Sequence, residues 1–224
     1  MSDASGTEKP IALEAREIAP DGRKFSPSVG RNRDVIGRVF AETMPHAGEI
    51  LEIASGTGEH GAHMVSTLPS LHWTYSDIDD ASRSSQMGWQ AHLKSTRLKG
   101  PLFLDTRAKH WGAAEQAGAW AGLFCANMIH IAPIQAAEGL FAGAGRLLAP
   151  EGRLMLYGPF ARAGEIHESN AQFDASLKRR DSEWGVRDLD LELLPLAGAA
   201  GLVLHTIIDM PANNHSVIFS RQQA

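Results

Sequence analysis

The chain has 224 residues, 43% of them hydrophobic and 21% charged, which suits one globular domain, or one with an extension, and excludes fibrous, coiled-coil and tail-like classes. With 21 Lys+Arg against 26 Asp+Glu the net charge is -5, so the molecule as a whole offers no attractive field to nucleic-acid backbones or anionic lipids. A single cysteine, Cys125, in an apolar run excludes an internal disulfide and a thiolate metal cluster, and makes a reducing cytoplasm the expected location.

Residues 1–10 are polar with both charge signs and no signal-peptide pattern, and apolar runs such as Ala117–Ala126 are too short to span a bilayer. Neither membrane nor DNA is an expected partner. Residues 1–27 carry Asp21-Gly22 and Ser26-Pro27, both turn signals, and read as an irregular N-terminal arm ahead of one domain, 28–224. Asn32 or Asp34 can cap a helix on which Val35, Ile36, Val39, Phe40 and Met44 recur near the 3.6 period, ending before Pro45. Ile50–Ala54 then reads as a strand, broken by Ser55-Gly56-Thr57-Gly58 before a helix from Glu59 to Leu68. Leu71–Ser76 is a second strand, Asp79 or Asp80 caps a helix to Leu93, Leu102–Leu104 is a short third strand ending at Asp105, and Trp120–Asn127 is a fourth.

Pro133 opens a helix carrying Ile134, Ala137, Leu140, Phe141 and Leu147 that stops at Pro150-Glu151-Gly152, and Arg153–Tyr157 is a fifth strand. From about 160 to 188 the rhythm gives way to a polar insert with an amphipathic helix near Asn170–Arg180, and Leu189–Ala200 forms another helix closed by Gly201. Leu202–Ile208 and Ser216–Phe219 are joined by Pro211–Asn214, too short for a crossover, so they pair as an antiparallel hairpin. The order predicts an α/β fold: a Rossmann-like open sheet with helices on both faces and a C-terminal antiparallel β hairpin.

Ligands of such sheets sit at the carboxyl ends of the strands. There Glu52 precedes the small-residue loop Ala54-Ser55-Gly56-Thr57-Gly58, Asp77 ends the second strand, and Asp105 ends the third. Gly56-Thr57-Gly58-Glu59-His60-Gly61 also satisfies G-x-G-x-x-G, with Asp77 at about the twenty-residue distance of an NAD ribose contact. Glu52, the further acid Asp105 and the terminal hairpin favour S-adenosylmethionine over NAD, because a carboxylate beside the loop suits an ammonium and a sulfonium better than a pyrophosphate. His60 and His63 lack a third ligand nearby, so no metal is expected.

These motifs, with Leu147-Leu148-Ala149-Pro150-Glu151-Gly152, resemble those of class I S-adenosylmethionine-dependent methyltransferases. More narrowly, Arg31-Asn32-Arg33-Asp34, Ser76-Asp77-Ile78-Asp79, Tyr157-Gly158-Pro159, Trp184-Gly185-x-Arg187-Asp188 and Met210-Pro211-Ala212-Asn213-Asn214 are similar to the methyltransferase-like 26, or DUF938, family. The resemblance implies a seven-stranded methyltransferase sheet with S-adenosyl-L-methionine as cofactor. Glu52 would then organise the methionine end through water or backbone N–H groups, Ala54, Ser55, Gly56, Thr57 and Gly58 would line it, and Asp77 would hold the ribose. Ile78 and Asp105 would meet adenine, Asn127 would lie near the sulfonium, and Arg31 or Arg33 would reach the methionine carboxylate. Ala54 stands where the broad class has its first loop glycine, which excludes a positive φ there.

In-line methyl transfer requires alignment and no universal catalytic group. His130, three residues past the fourth strand, is a candidate base or acceptor-orienting group equally readable as structural, and Tyr157, ending the fifth, can point a hydroxyl into the pocket or complete the core. Asn170 and Asp174 in the insert and Asn213 and Asn214 in the hairpin turn are candidate acceptor contacts, while Lys178-Arg179-Arg180 reads as a solvated helix end. The expected acceptor is a small molecule ahead of RNA or protein. An NAD-dependent oxidoreductase using Gly56–Gly61, and a non-catalytic cofactor-binding module, are the alternatives.

Overall fold

The computed structural model describes residues 14–116 and 118–222. Residues 1–13 of the proposed arm, and Ala117 of the apolar run, lie outside the described residues. Seven strands form the main sheet: β1 Gly48–Ile53, β2 Leu71–Asp77, β3 Leu98–Phe103, β4 Trp120–Ala126, β5 Leu148–Gly158, β6 Leu202–Met210 and β7 Asn214–Arg221. Their order is β6-β7-β5-β4-β1-β2-β3, parallel from β5 to β3, with β7 antiparallel to both β5 and β6. The sheet and the antiparallel hairpin are as the sequence predicts.

The helices are α1 Pro27–Thr43, α2 Glu59–Thr67, α3 Asp80–Leu93, α4 Ile134–Leu147, α5 Glu168–Arg180 and α6 Leu194–Ala199. Strand alternation divides the core between the two faces of the sheet. Ile50, Trp73, Tyr75, Phe124, Met155 and Ile218 pack with Ile36, Phe40 and Met64 of α1 and α2. Leu51, Ile53, Leu123, Cys125, Leu154 and Val217 pack with Leu140, Phe141 and Ala197 of α4 and α6. Burying such side chains on both faces of the central strands, at about 25 cal/mol per Å² of apolar area, is the main force holding the sheet.

Several boundaries differ from expectation. Helix α1 starts at Pro27, because Ser26-Pro27 acts as N-cap and first turn rather than as a loop, so neither Asn32 nor Asp34 is a cap. Residues 14–26 are not irregular. Glu17–Ile18 pairs with Lys24–Phe25, Lys24 N donates to Ser85 Oγ at 2.8 Å, Ser26 N donates to Glu59 Oε2 at 2.7 Å, and Phe25 meets Trp89 edge-on. Strand β3 starts four residues earlier than predicted and includes Gly100-Pro101, tolerated because it is an edge strand. Strand β5 begins at Leu148, running through Pro150–Gly152. The predicted helix over 189–200 is a π-turn, Leu189–Leu193, continued by α6, with Asp188 capping the N–H groups of Asp190 and Leu191.

Candidate active site

The carboxyl ends of β1, β2, β4 and β5 open into one cavity of about 1260 Å³, larger than the range of about 300–1000 Å³ that small-molecule sites occupy. Its floor is the loop after β1, where Ala54, Gly56 and Gly58 have φ of 55°, 56° and 85°. The positive φ at Ala54 overturns the expectation that alanine excludes it. A left-handed alanine costs about 1–2 kcal/mol, offset by the hydrogen bonds that close the turn. Ser55 N donates to Ser76 O at 2.9 Å, Ser76 Oγ to Glu52 O at 2.6 Å, and Gly56 N to the Asp77 carboxylate at 2.9 Å. Ala54, Ser55, Gly56 and Thr57 line the cavity. Gly58 does not. It is the left-handed N-cap of α2, and a Cβ there would press on Trp89 and Gln86.

Asp77 ends β2 almost fully buried, and burial raises its pKa against the hydrogen bonds from Asp79 N and Gly56 N. Those two N–H groups occupy one lone pair on each oxygen, which leaves acceptor capacity on both. Next to it Ile78 is 44% exposed and lines the cavity, an apolar side chain that a flat ring would cover. Asp79 is the N-cap of α3 through Ser82 N, 2.7 Å. Asp105 also lines the cavity, two residues past β3. Arg107 holds its carboxyl below the usual range through a bidentate pair, with closest approach 2.7 Å.

Alternation along β1 puts Ile50 and Glu52 on the α1–α2 face. Glu52 is 2% exposed and accepts from the Trp73 indole N–H at 2.8 Å, so an indole takes the place of the expected backbone groups. Burial pushes its pKa up to about 8, and pushes His60, 3.9 Å away, down to about 4. Both are therefore neutral at pH 7. A carboxyl raised from 4.5 binds its proton more tightly in the folded state, so this contribution is complete below pH 4.5 and lost as pH rises through about 8. His60, and His130 with a pKa pushed down to about 3, act with the opposite sign below pH 6.5. Stability is thus expected to peak near pH 6.5 and fall by about 1 kcal/mol toward pH 8. In thermal melts across this range Glu52→Gln should abolish the alkaline decline; an unchanged decline would assign it to another group.

Asn127 closes β4 at φ 61°, its N–H on Tyr157 O at 2.8 Å, and Tyr157 lines the wall opposite the loop. Asn170, Asn213 and Asn214 come together at the far end: Asn170 Nδ2 donates to Asn213 O at 2.9 Å, and Asn213 Nδ2 to Ser169 Oγ at 3.0 Å. Besides Gly58, three expected site residues lie elsewhere. His130 is fully buried outside the cavity, stacked edge-on against Phe160 and accepting from Arg187 N at 3.4 Å, so it cannot meet an acceptor molecule. Asp174 is tied to Val186 N at 2.9 Å and Lys178 at 2.7 Å. Arg33 is paired with Asp34 at 3.7 Å, whereas Arg31, about 200° away around α1, lines the cavity with Arg16 of the arm. Asn32 and His60 also line it. Asn32 was legible only as a helix cap, and His60 only as half of a histidine pair whose other member turns to Asp34.

The strand order, with its single reversed strand inserted beside β5, is that of the class I S-adenosylmethionine-dependent methyltransferase fold. An O-methyltransferase family protein from Burkholderia thailandensis superposes with a TM-score of 0.69 at 18% identity, over 88% of this chain and 57% of that one. CalO1, a methyltransferase of calicheamicin biosynthesis solved with SAH bound, gives 0.66 at 16%, over 87% and 54%. Geranyl diphosphate C-methyltransferase from Streptomyces coelicolor A3(2), solved with Mg2+, geranyl diphosphate and S-adenosyl-L-homocysteine, gives 0.65 at 12%, over 87% and 80%. The chain spans little more than half the length of the first two. Residues 23–221 match the family described as Protein of unknown function (DUF938), and the chain belongs to that family. Among the described residues no helix is long and apolar enough to cross a membrane.

Proposed function

We propose that the protein is an S-adenosylmethionine-dependent methyltransferase acting on a small-molecule acceptor in the cytoplasm, with residues 28–224 as the catalytic domain and 1–27 as its arm. One observation carries the reading: Asp77, buried at the end of β2, keeps open lone pairs beside a left-handed loop and an exposed Ile78 inside a single cavity. That set fits a nucleoside, with ribose hydroxyls on Asp77, adenine on Ile78 near Asp105, and the amino-acid end over Ala54–Thr57 toward Glu52 and Asn127. When bound, the cofactor supplies a methyl group on a sulfonium, open to in-line attack.

This chain's residues then align and enclose. Gly56 N and Asp79 N hold the Asp77 carboxylate in place before any ligand arrives, so the site is preorganised. Asn170, Asn213 and Asn214 with Phe173 and Trp184 form the acceptor end, and a cavity above 1000 Å³ leaves room for a second molecule beside the nucleoside. The fold shared with small-molecule methyltransferases supports the acceptor class. Calorimetric titration with S-adenosylmethionine, S-adenosylhomocysteine and NAD tests the reading. Micromolar binding of the two sulfur nucleotides is expected; binding of NAD alone would overturn it, and donor binding without turnover on any acceptor would leave a cofactor-binding module.

A further inference from the structure

Alternate residues of the segment before α1, Glu14, Arg16 and Ile18, line the cavity, whereas Ala15 and Glu17 between them do not. That is the period of two of an extended chain laid against the site. The segment hangs on two buried groups that also hold the glycine loop. Ser85 Oγ accepts from Lys24 N at 2.8 Å and donates to Thr57 O at 2.7 Å, while Glu59 Oε2 accepts from Ser26 N at 2.7 Å and from Thr57 Oγ1 at 2.9 Å. The same side chains therefore position segment and loop, and the segment forms a wall of the site. Arg16 Nη2 stands 4.0 Å from the point that a Cβ of Gly56 would occupy, so its guanidinium faces the loop. Arg31 and Arg107, which also line the cavity, are paired with Glu14 at 3.0 Å and with Asp105 at 2.7 Å. Arg16 is half-buried and has no hydrogen bond or ion pair among the described residues. Its five N–H donors, in a planar fork, suit a carboxylate.

On the methyltransferase reading, we propose that Arg16 binds the carboxylate at the amino-acid end of the donor, and so makes the site select nucleosides that carry that end. The carboxylate is the one anionic group of S-adenosylmethionine or S-adenosylhomocysteine at pH 7, and the loop that Arg16 faces is the one this reading gives to that end. Arg31, the partner expected for it, is engaged by Glu14, whose other oxygen accepts from Ser28 N at 3.0 Å. The segment ahead of α1 thus supplies a ligand contact that none of the strand ends provides.

The test is calorimetric titration of the full chain with S-adenosylhomocysteine and with 5′-methylthioadenosine, which keeps adenine, ribose and thioether but lacks the amino-acid end. Wild type is expected to bind S-adenosylhomocysteine the more tightly. Arg16→Gln should weaken S-adenosylhomocysteine about tenfold, the effect of losing a charge-assisted pair on a half-buried group, and leave 5′-methylthioadenosine unchanged. Its melting temperature should match wild type, since the guanidinium bonds to no other part of the fold; a merely structural role would lower the melt and weaken both ligands alike. Equal losses for the two ligands, no loss for either, or equal affinity of wild type for both overturns this inference and leaves the methyltransferase reading standing. A wild type that binds neither nucleoside overturns that reading, and this inference with it.

Discussion

Asp77→Ala is expected to lower affinity for S-adenosylhomocysteine about 100-fold in calorimetry while the protein stays folded. The carboxylate has two tasks, one toward the ligand and one toward the loop. Its open lone pairs can take two charge-assisted hydrogen bonds, worth about 1.5–3 kcal/mol each. Its occupied ones hold Gly56 N and Asp79 N, so truncation also frees the turn that forms the cavity floor. Asp77→Asn separates the tasks. Its carbonyl oxygen still accepts from Gly56 N, but its NH2 replaces the oxygen to which Asp79 N donates, so loss of the charge and of one acceptor should weaken binding about tenfold. Full affinity in both variants would remove Asp77 from the binding site.

The second large effect concerns stability. Gly139→Ala should destabilise the fold by about 3 kcal/mol, or roughly 10 °C in a melt of a chain this size. A Cβ at Gly139 of α4 would overlap the Thr106 carbonyl, which also accepts from the Trp111 indole N–H at 3.3 Å. Backbone cannot swing aside as a side-chain tip can, so α4 must lift or the 104–107 loop must move, and that loop carries Asp105 at the cavity. Gly30→Ala is the matched contrast. It lies in α1 with nothing near its would-be Cβ, so the ordinary helical preference for alanine should stabilise by up to about 1 kcal/mol. Equal melts for the two variants would mean that α4 yields where it meets Thr106.

The central elements were legible because both periodicity and punctuation marked them: Ile50–Ala54 before a glycine loop, Leu71–Ser76 before capping aspartates. Elements whose ends carry ambiguous signals were not. Ser26-Pro27 serves a loop and a helix start equally well, and Gly100-Pro101 reads as a break unless the strand is known to lie at an edge. The proposed donor side was legible from strand ends, since Asp77 and the loop that line the cavity are local to one crossover. On the proposed acceptor side Asn170, Asn213 and Asn214 were legible from the insert and the hairpin turn, and all three line the cavity, but the part contributed by α1 was not. There the direction of a side chain decides: one turn of α1 carries Arg31 and Asn32 to the cavity and Arg33 away from it, and His130 lies buried although it follows a strand end by only three residues.

The two borders of the sheet differ in what they offer another molecule. Along β3, Pro101 has no amide proton to give, Lys99 is charged and exposed, and Gly100 adds no side chain, so an incoming strand meets an interrupted ladder. Along β6, nine residues run without proline, and Val203, Leu204 and His205 are exposed. An incoming strand therefore meets fewer obstacles along β6 than along β3, and a lysine at Val203 or Leu204 would place on the β6 border the charge that Lys99 already gives the other.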